Sequence, residues 1–355
     1  MIELAFVGDI MLARGVGEFL SKHSNHIIIS EQVKNILKGA DLCVGNLESP
    51  VAVNAEPIKK NAFKANPETL KQIYIFDIFS LANNHIKDCE TEGAIETTEI
   101  LKENLFEFLG LSDNHNLPIN PIFKTIKNKN IAFFACAVPD CIKNEKANDF
   151  PRVIDATSKY FLDAISYHKE KSDFTVILVH GGNEMIPYPE PNFRNLCQNF
   201  IDCGADFVIT SHPHVLGGHE KYKAGYIFYS LGDFIFDADS FLRRESAILK
   251  IKIKDSISWE YIPTTISKNF RVVLVEKTLN DKIISKINLV STRLKSFDYN
   301  KKYSSYYQSS LRQFQKDRII YKLKNKGILH VLGFLIKKIT LIPHYSKKLL
   351  LKQYK

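Results

Sequence analysis

The alternation of short apolar runs with helical stretches over the first 240 residues constrains the fold of this chain more than any other feature. The apolar runs suit strands that are covered on both faces of a sheet. They lie at residues 2–7, 42–44, 78–81, 131–137, 175–179, 207–210 and 226–231. Helical stretches lie between them, at about 31–38, 67–74, 92–109, 155–170 and 191–203. The alternation predicts a layered α/β domain, and further strands at 247–253, 259–263 and 271–275 would extend or edge a sheet.

Composition and the first residues bound the class of protein. With 45% hydrophobic and 25% charged residues, the chain is composed like a globular protein, which excludes disorder over most of its length. No apolar run reaches the roughly 18 residues of a membrane span. Glu3 and Asp9 interrupt the apolar stretch that a secretory signal needs, so we expect a cytoplasmic protein. The six cysteines include no Cys-x-x-Cys pair, and we expect them to be reduced, mostly buried and without a function.

The net charge of +9 belongs to the C-terminal end of the chain. Residues 301–355 contain 14 lysines and arginines and one acid, Asp317, whereas residues 1–300 contain 34 basic and 38 acidic residues. We therefore divide the chain into a domain at 1–300 and a basic, mostly helical tail at 301–355. The mildly acidic body argues against a nucleic-acid substrate.

The tail also has an apolar face. Apolar residues at 328, 331, 332, 335, 339 and 342 share one side of a helix. A basic amphipathic segment is typical of contact with a membrane surface or a partner protein, and in the first case the protein would be peripheral to the membrane. Packing of this face against the domain explains the pattern equally well.

Side chains that can do chemistry recur directly after the predicted strands, where α/β folds bind their ligands. The positions are Gly8-Asp9, Asn46 with Glu48, Asn83-Asn84-His85 with Asp88, His180 with Glu184, and His212 with His214. A turn explains Gly8-Asp9, Asn46 with Glu48 or Asn83-Asn84-His85 taken singly, whereas His-x-His at 212–214 is a good metal-chelating arrangement. The whole set has the donors of a site for two divalent ions, because carboxylates bridge ions and imidazoles complete their coordination. A histidine that lies beside the ions without binding them can transfer protons.

The same residues carry a family resemblance. The series Gly8-Asp9, Asn46-Leu47-Glu48, Asn83-Asn84-His85 with Asp88, His180-x-Gly182-x-Glu184, His212-Pro213-His214 and Ser230-Leu231-Gly232-Asp233-Phe234, in order along residues 2–240, resembles the CapA family. Its members are bacterial capsule and poly-γ-glutamate synthesis proteins, related to calcineurin-like metallophosphoesterases. The resemblance implies an α/β fold that is a metallophosphatase-like sandwich of two mixed β-sheets flanked by helices. The metal site would lie at the strand ends.

Carried over position by position, the resemblance implies roles for individual residues. One or two divalent ions (Mn, Zn, Fe or Ca) would be bound by Asp9, Glu48, Asn84, His180, His212 and His214. Glu48 would bridge the ions, His85 would be the general acid, and Asp88 would orient His85. An anionic small-molecule or polymer substrate would meet Asn46, Lys64 and Glu184, although Asn46 and Glu184 suit support of the metal ligands as well and Lys64 suits a solvated surface position.

Three departures from the family pattern bear on these expectations. Metallophosphoesterases of this fold usually begin Asp-x-His, and Met11 stands at the third position here, so one ion loses a ligand. Asp233 stands where CapA-like chains usually have Asn, which adds a carboxylate near the site or a turn cap. Membrane-anchored members begin with an apolar segment, whereas this sequence starts at its first predicted strand.

Three functions are compatible with this sequence. The first is a metal-dependent hydrolase of capsule, poly-γ-glutamate or other cell-surface polymer synthesis. In it, metal-activated water attacks a phosphoester or a glutamyl amide, with His85 as general acid and base. The second is a metal-dependent peptide epimerase of the same fold. The third is a non-catalytic component of a polymer-synthesis assembly that keeps a structural metal.

Overall fold

Two β-sheets and the surrounding helices form the body of the protein in a computed structural model, which describes residues 1–59, 61–113, 119–142 and 150–327. The strands are β1 (Ile2–Ile10), β2 (Leu42–Leu47), β3 (Ile78–Ser80), β4 (Glu107–Leu109), β5 (Leu111–Ser112), β6 (Ile122–Ile126), β7 (Lys129–Ala137), β8 (Arg152–Val153), β9 (Phe174–His180), β10 (Phe207–Ser211), β11 (His219–Tyr222), β12 (Gly225–Phe228), β13 (Asp233–Ile235), β14 (Glu245–Ile253), β15 (Ile257–Ile266) and β16 (Val272–Leu274). The α-helices are α1 (Arg14–Lys22), α2 (Glu31–Lys38), α3 (Glu90–Glu103), α4 (Pro139–Ile142), α5 (Lys159–Lys169), α6 (Pro191–Asp202), α7 (Phe241–Arg244), α8 (Lys277–Leu294) and α9 (Tyr299–Lys326).

Both sheets are mixed. The first has the strand order β16-β15-β14-β1-β2-β3-β4, and β13 pairs with β1 beside this path. Its strands β1, β2, β3 and β4 are parallel, while β14, β15 and β16 add an antiparallel edge. The second sheet has the order β11-β12-β10-β9-β7-β6, with four central parallel strands and antiparallel β6 and β11 at its edges.

The two sheets face each other across one apolar core. Buried residues of both sheets share this core, among them Phe6 of β1, Val44 of β2, Phe133 of β7 and Phe207 of β10. Successive side chains of a strand point to opposite faces, so the alternate residues of β7, β9 and β10 reach a second core beneath α5 and α6. The sandwich implied by the family resemblance is therefore confirmed, and the carboxyl ends of its parallel strands meet at one edge.

Gly8 is required where β1 and β13 come together at that edge. A Cβ atom added to Gly8 would lie 1.8 Å from the carbonyl oxygen of Gly232. The Asp9 amide donates to the same oxygen at 3.1 Å, and Asp9 and Asp233 are register partners. The glycine therefore permits the close approach that places two carboxylates side by side.

Most predicted elements are present, with bounds shifted by a few residues, but one predicted helix is shorter than expected and another is a 3₁₀ helix. The predicted helix at 92–109 ends at Glu103, because Leu105 adopts a left-handed backbone (φ 61°) and the chain then enters β4. The stretch predicted as helix at 67–74 forms a short 3₁₀ helix, Pro67–Gln72, whose first turn is capped by the Asn66 side chain. Further elements were not predicted from the sequence: α1, α4, α7, α8, β5, β6, β8, β11 and β13.

The first part of the predicted tail is helical, as expected, and packs against the domain through α9. Tyr303 accepts a hydrogen bond from the Asn183 side chain at 2.8 Å, and Asp317 accepts one from the Leu242 amide at 3.0 Å. The division at residue 300 stays a prediction. The predicted apolar face at 328–342, and with it the membrane or protein contact, lies outside the described residues. Within the described residues, no helix is long and apolar enough to cross a bilayer.

Candidate metal centre

The carboxyl ends of four strands, two from each sheet, meet at the centre of the candidate site. Asp9 and Asn46 are register partners in β1 and β2, and His180 and Ser211 are register partners in β9 and β10. The backbone amide of His212 lies 3.4 Å from Oδ2 of Asp9 and so links the two sheets. The sandwich thus gathers side chains that are far apart in the sequence.

Asp9 is fully buried and held as a carboxylate. Its Oδ1 accepts a hydrogen bond from the Asn46 side chain at 2.8 Å, and its Oδ2 lies 3.3 Å from Nδ1 of His214. Burial alone would raise the pKa of Asp9, but the contacts with His214 and Asn46 and the nearby His212 bring it below its ordinary value. Asp9 is therefore ready to bind a cation.

Glu48 is fully buried and makes no hydrogen bond within the part of the chain that the structure describes. Neither carboxylate oxygen has a hydrogen bond among the described residues, and Oε1 lies 3.8 Å from Nε2 of both His180 and His214. Desolvation, followed by the charge of Asp9, raises the pKa of Glu48 well above its ordinary value. Buried polar groups in native proteins are almost always satisfied. The Glu48 carboxylate lies among imidazole rings, and neither of its oxygens has a hydrogen bond among the described residues. These features are what a carboxylate that bridges two metal ions would need.

His180, His212 and Asn84 form one side of the centre. Nε2 of His180 lies 2.8 Å from the side-chain oxygen of Asn84, and the rings of His180 and His212 are 4.7 Å apart. Burial lowers the pKa of His180 well below its ordinary value, and burial together with nearby His214 lowers the pKa of His212 to about 4. Both rings are therefore neutral near pH 7, which is the form that binds metals.

His214 and Asp233 form the other side. Nδ1 of His214 lies 2.7 Å from Oδ1 of Asp233, and the Arg243 guanidinium donates to Oδ2 of Asp233 at 2.9 and 3.0 Å. Burial alone would lower the pKa of His214, but the carboxylates of Asp233, Glu48 and Asp9 raise it well above its ordinary value. The Arg243 guanidinium neutralises the carboxylate of Asp233. This ion pair explains how the site accommodates Asp at a position where CapA-like chains usually have Asn.

Three overlapping sets of side chains at this edge have ligand atoms within 4.8 Å of one another. They are Glu48, His212 and His214; Asp9, His214 and Asp233; and Cys141, His180 and His212. Met11 stands apart from them, buried, with its sulfur accepting a hydrogen bond from the Ala13 amide at 3.1 Å. The donor chemistry of these three sets fits divalent ions.

His85 lies beside this centre and is fixed on two sides. Its Nδ1 is 2.8 Å from Oδ2 of Asp88, which also accepts the Phe63 amide at 2.7 Å. The Phe63 ring stacks on the imidazole, with centroids 3.8 Å apart and planes 16° from parallel. Nε2 of His85 lies 3.9 Å from Oε1 of Glu48. Asp88 and Phe63 therefore hold the His85 ring in one orientation, and the contact with Phe63 was not predicted from the sequence.

A cavity of about 780 Å³ opens next to the centre. Its lining is Arg14, Lys59, Asn61, Phe63, His85, Glu184, Met185, His214, Phe236 and Arg243. Arg14 is held by two hydrogen bonds to Asp237 and lies over the Phe63 ring, 5.0 Å from its centroid. The cavity thus combines cationic and aromatic side chains with the imidazoles of His85 and His214.

The three predicted substrate contacts lie in different places. Glu184 lines the cavity. Asn46 is only 4% exposed, and its amide nitrogen donates to Asp9 and lies 3.3 Å from Nδ1 of His180, so it contacts two candidate metal ligands and does not reach the cavity lining described above. Lys64 is not among the described lining residues, because its ammonium group is engaged by the Val53 carbonyl at 2.9 Å and by Glu56 at 3.1 Å.

Asp233→Asn is expected to lower metal affinity about 10–100-fold, as loss of a carboxylate behind a ligating histidine does elsewhere. The variant removes the negative charge that faces Nδ1 of His214 and that pairs most closely with Arg243. Isothermal titration with Mn²⁺ and Zn²⁺ measures the effect. Asp239→Asn is the matched control, because Asp239 also faces Arg243, at 3.9 Å, without contacting His214. Equal affinity of the Asp233→Asn variant and the unmodified protein would contradict this role.

Comparison with known proteins identifies the family to which this chain belongs. The family model "Bacterial capsule synthesis protein PGA_cap" matches residues 3–238. "Capsule biosynthesis protein CapA" of Bacillus anthracis is 30% identical over 266 residues, which cover 72% of this chain and 64% of that protein. "PGA biosynthesis protein CapA" of Bacillus subtilis is 30% identical over 261 residues, which cover 72% of this chain and 68% of that protein. The chain thus spans slightly less than two thirds of the Bacillus anthracis relative.

Two solved structures are similar in fold. NAD nucleotidase of Haemophilus influenzae has a TM-score of 0.44 at 12% identity, covering 88% of this chain and 60% of that chain. The calcineurin-like phosphoesterase YfkN of Bacillus subtilis has a TM-score of 0.41 at 12% identity, covering 88% and 98%. The extent of the family match and the two Bacillus relatives together establish membership. This chain belongs to the bacterial capsule synthesis protein family PGA_cap.

Proposed function

We propose that this protein is a metal-dependent hydrolase of capsule, poly-γ-glutamate or other cell-surface polymer synthesis, acting on a phosphoester or a glutamyl amide. The observation that supports this best is the placement of His85. Its ring is clamped between Asp88 and Phe63, and its Nε2 lies 3.9 Å from Oε1 of the unpartnered Glu48. A non-catalytic metal site has no need for an oriented imidazole beside its ligands.

Each part of the centre has a task in hydrolysis. Divalent ions bound by Asp9, Glu48, Asn84, His180, His212 and His214 would supply an activated water and stabilise negative charge on the substrate. Asp88 holds Nδ1 of His85, so that Nε2 is left to give a proton to the leaving group. The stacked Phe63 ring keeps the imidazole plane fixed while the proton moves.

The cavity supports an anionic substrate. Arg14, Lys59 and Arg243 line it, and the aromatic rings of Phe63 and Phe236 add apolar surface. Glu184 is the acidic exception among the described lining residues. Phosphoesters and poly-γ-glutamate are both anionic, and guanidinium groups bind phosphate and carboxylate through paired hydrogen bonds.

An assay of the full chain tests the proposal. The protein is loaded with Mn²⁺ or Zn²⁺ and incubated with a chromogenic phosphodiester, a phosphomonoester, a γ-glutamyl amide and poly-γ-glutamate, with a chelated sample as control. We expect cleavage of at least one substrate class that disappears on chelation. Solvent deuterium at a substrate α-carbon without cleavage would favour the epimerase instead. Full metal binding with neither reaction would favour a non-catalytic assembly component.

A further inference from the structure

Cys141 lies within reach of two histidines of the metal centre, although the sequence analysis expected no function for any cysteine. The ligand atoms of Cys141, His180 and His212 all lie within 4.8 Å of one another. The Cys141 side chain is half-buried, and no cysteine forms a disulfide. This group is therefore a reduced thiol next to two imidazoles that are themselves candidate ligands.

The backbone holds the three side chains together. Ala137 at the end of β7 is the register partner of His180, and the Val138 amide donates to the His180 carbonyl at 3.0 Å. The Cys141 amide in turn donates to the Val138 carbonyl at 2.9 Å, which fixes the short helix α4 directly after β7. Cys141 thus follows the rule of the other site residues, since it lies just after a parallel strand.

Independent polar atoms point to a ligand at this place. Nδ1 of His212 is buried without a hydrogen-bond partner among the described residues, and the residue as a whole is only 9% exposed. Both oxygens of Glu48 are likewise unpartnered, and Oε1 lies 3.8 Å from Nε2 of His180. Asn84 adds a carbonyl oxygen 2.8 Å from the same nitrogen. The thiol therefore lies beside candidate ligands that include buried polar atoms without hydrogen bonds, and it is not an isolated surface cysteine.

We propose that Cys141 supplies a thiolate to the metal position formed by His180 and His212, and that this position consequently prefers Zn²⁺ to Mn²⁺. Thiolate and imidazole select zinc over harder ions, which favour oxygen ligands. In a tetrahedral zinc site the ligand atoms are about 3.5 Å apart, so a set within 4.8 Å needs only side-chain adjustment. Binding converts the thiol to a metal-bound thiolate and releases its proton to solvent.

The two halves of the centre differ accordingly. The half around Asp9, Asp233 and His214 is rich in oxygen, whereas the half around Cys141 offers sulfur and nitrogen. Such a centre would hold a zinc ion and, beside it, a harder or more weakly bound ion. The inference deepens the proposed function because it names an ion at the same site, but it does not require hydrolysis.

Cobalt titration of the metal-free full chain tests the inference. A cysteine thiolate bound to Co²⁺ gives a strong near-ultraviolet charge-transfer band, which nitrogen and oxygen ligands do not. We expect the band in the unmodified protein and its loss in Cys141→Ser, together with a drop of at least about 10-fold in Zn²⁺ affinity measured by chelator competition. Mn²⁺ affinity should stay unchanged. Cys203→Ser is the matched control, because Cys203 is also half-buried but lies at the end of α6.

The possible outcomes separate this inference from the proposed function. Co²⁺ binding without the band, or a band that persists in Cys141→Ser, would overturn the thiolate ligand and leave the hydrolase proposal standing. Absence of Co²⁺ and Zn²⁺ binding would overturn the thiolate ligand, and absence of Mn²⁺ binding as well would overturn the proposed function too. If Cys141→Ser does not fold, X-ray absorption of the zinc-loaded unmodified protein decides, since a sulfur scatterer at about 2.3 Å is expected and its absence contradicts the inference.

Discussion

Replacing His85 by Gln is expected to lower kcat about 10²–10⁴-fold while the protein keeps its full metal content, because a positioned general acid contributes a factor of that size. His85 lies beside the metal ligands, with Nε2 3.9 Å from Oε1 of Glu48 and Nδ1 held by Asp88 at 2.8 Å. Gln keeps the bulk of the side chain but cannot transfer a proton. The measurement pairs kcat on the substrate found in the assay above with metal analysis of the purified variant.

Asp88→Asn is the graded control for this prediction. Asp88 acts through His85, so its loss should reduce kcat less than loss of the imidazole, and it should alter the pH profile of the reaction. Asp88 also accepts the Phe63 amide at 2.7 Å, a bond that Asn can still accept. If His85→Gln loses metal together with activity, His85 is a ligand. If the variant turns over normally, another group supplies the proton.

The position of the site could be predicted from the sequence because strand ends are marked locally. Asp9, Glu48, His180 and His212 each follow a buried apolar run, and the parallel strands bring these ends to one edge. What each residue contacts within the site depends on packing between the sheets. Lys64 illustrates the limit, since only the folded chain shows that Glu56 and the Val53 carbonyl engage its ammonium group.

Residues that support the site were harder to predict because their partners are distant in the sequence. Arg243 is part of a short helix ten residues after Asp233, and nothing in its sequence context indicates a buried guanidinium. No function was predicted for Cys141 because the cysteines include no Cys-x-x-Cys pair, although Cys141 lies directly after a parallel strand, as the candidate ligands do.

The helix α1 was not predicted, and the reason is local. Its sequence contains two glycines, which disfavour helix, and tertiary packing of the buried Val16 and Leu20 overrides that propensity.

Glu48→Gln is expected to stabilise the metal-free protein by about 1–3 kcal/mol near pH 7, because it removes a buried acid whose oxygens have no partner. The folded-state pKa of Glu48 is raised, so unfolding releases a proton above the ordinary value of 4.5 and stability falls as the pH rises from there. Gln does not titrate, and the gap between variant and unmodified protein should widen from acidic to neutral pH. Thermal unfolding in chelator at several pH values measures it.

With metal bound, the unmodified protein should become more stable than the Glu48→Gln variant, the reverse of the order in chelator. At an ion concentration 100 times the dissociation constant, binding stabilises the unmodified protein by about 2.7 kcal/mol, whereas Glu48→Gln has lost its bridging carboxylate and gains much less. Glu245→Gln is the matched control. Burial also raises the pKa of Glu245, but Lys286 donates to it at 2.8 Å, so this substitution breaks an ion pair and should destabilise with or without metal. A metal-free Glu48→Gln protein less stable than the unmodified one would show that the Glu48 carboxyl is satisfied without an ion, and would remove its assignment as the bridge.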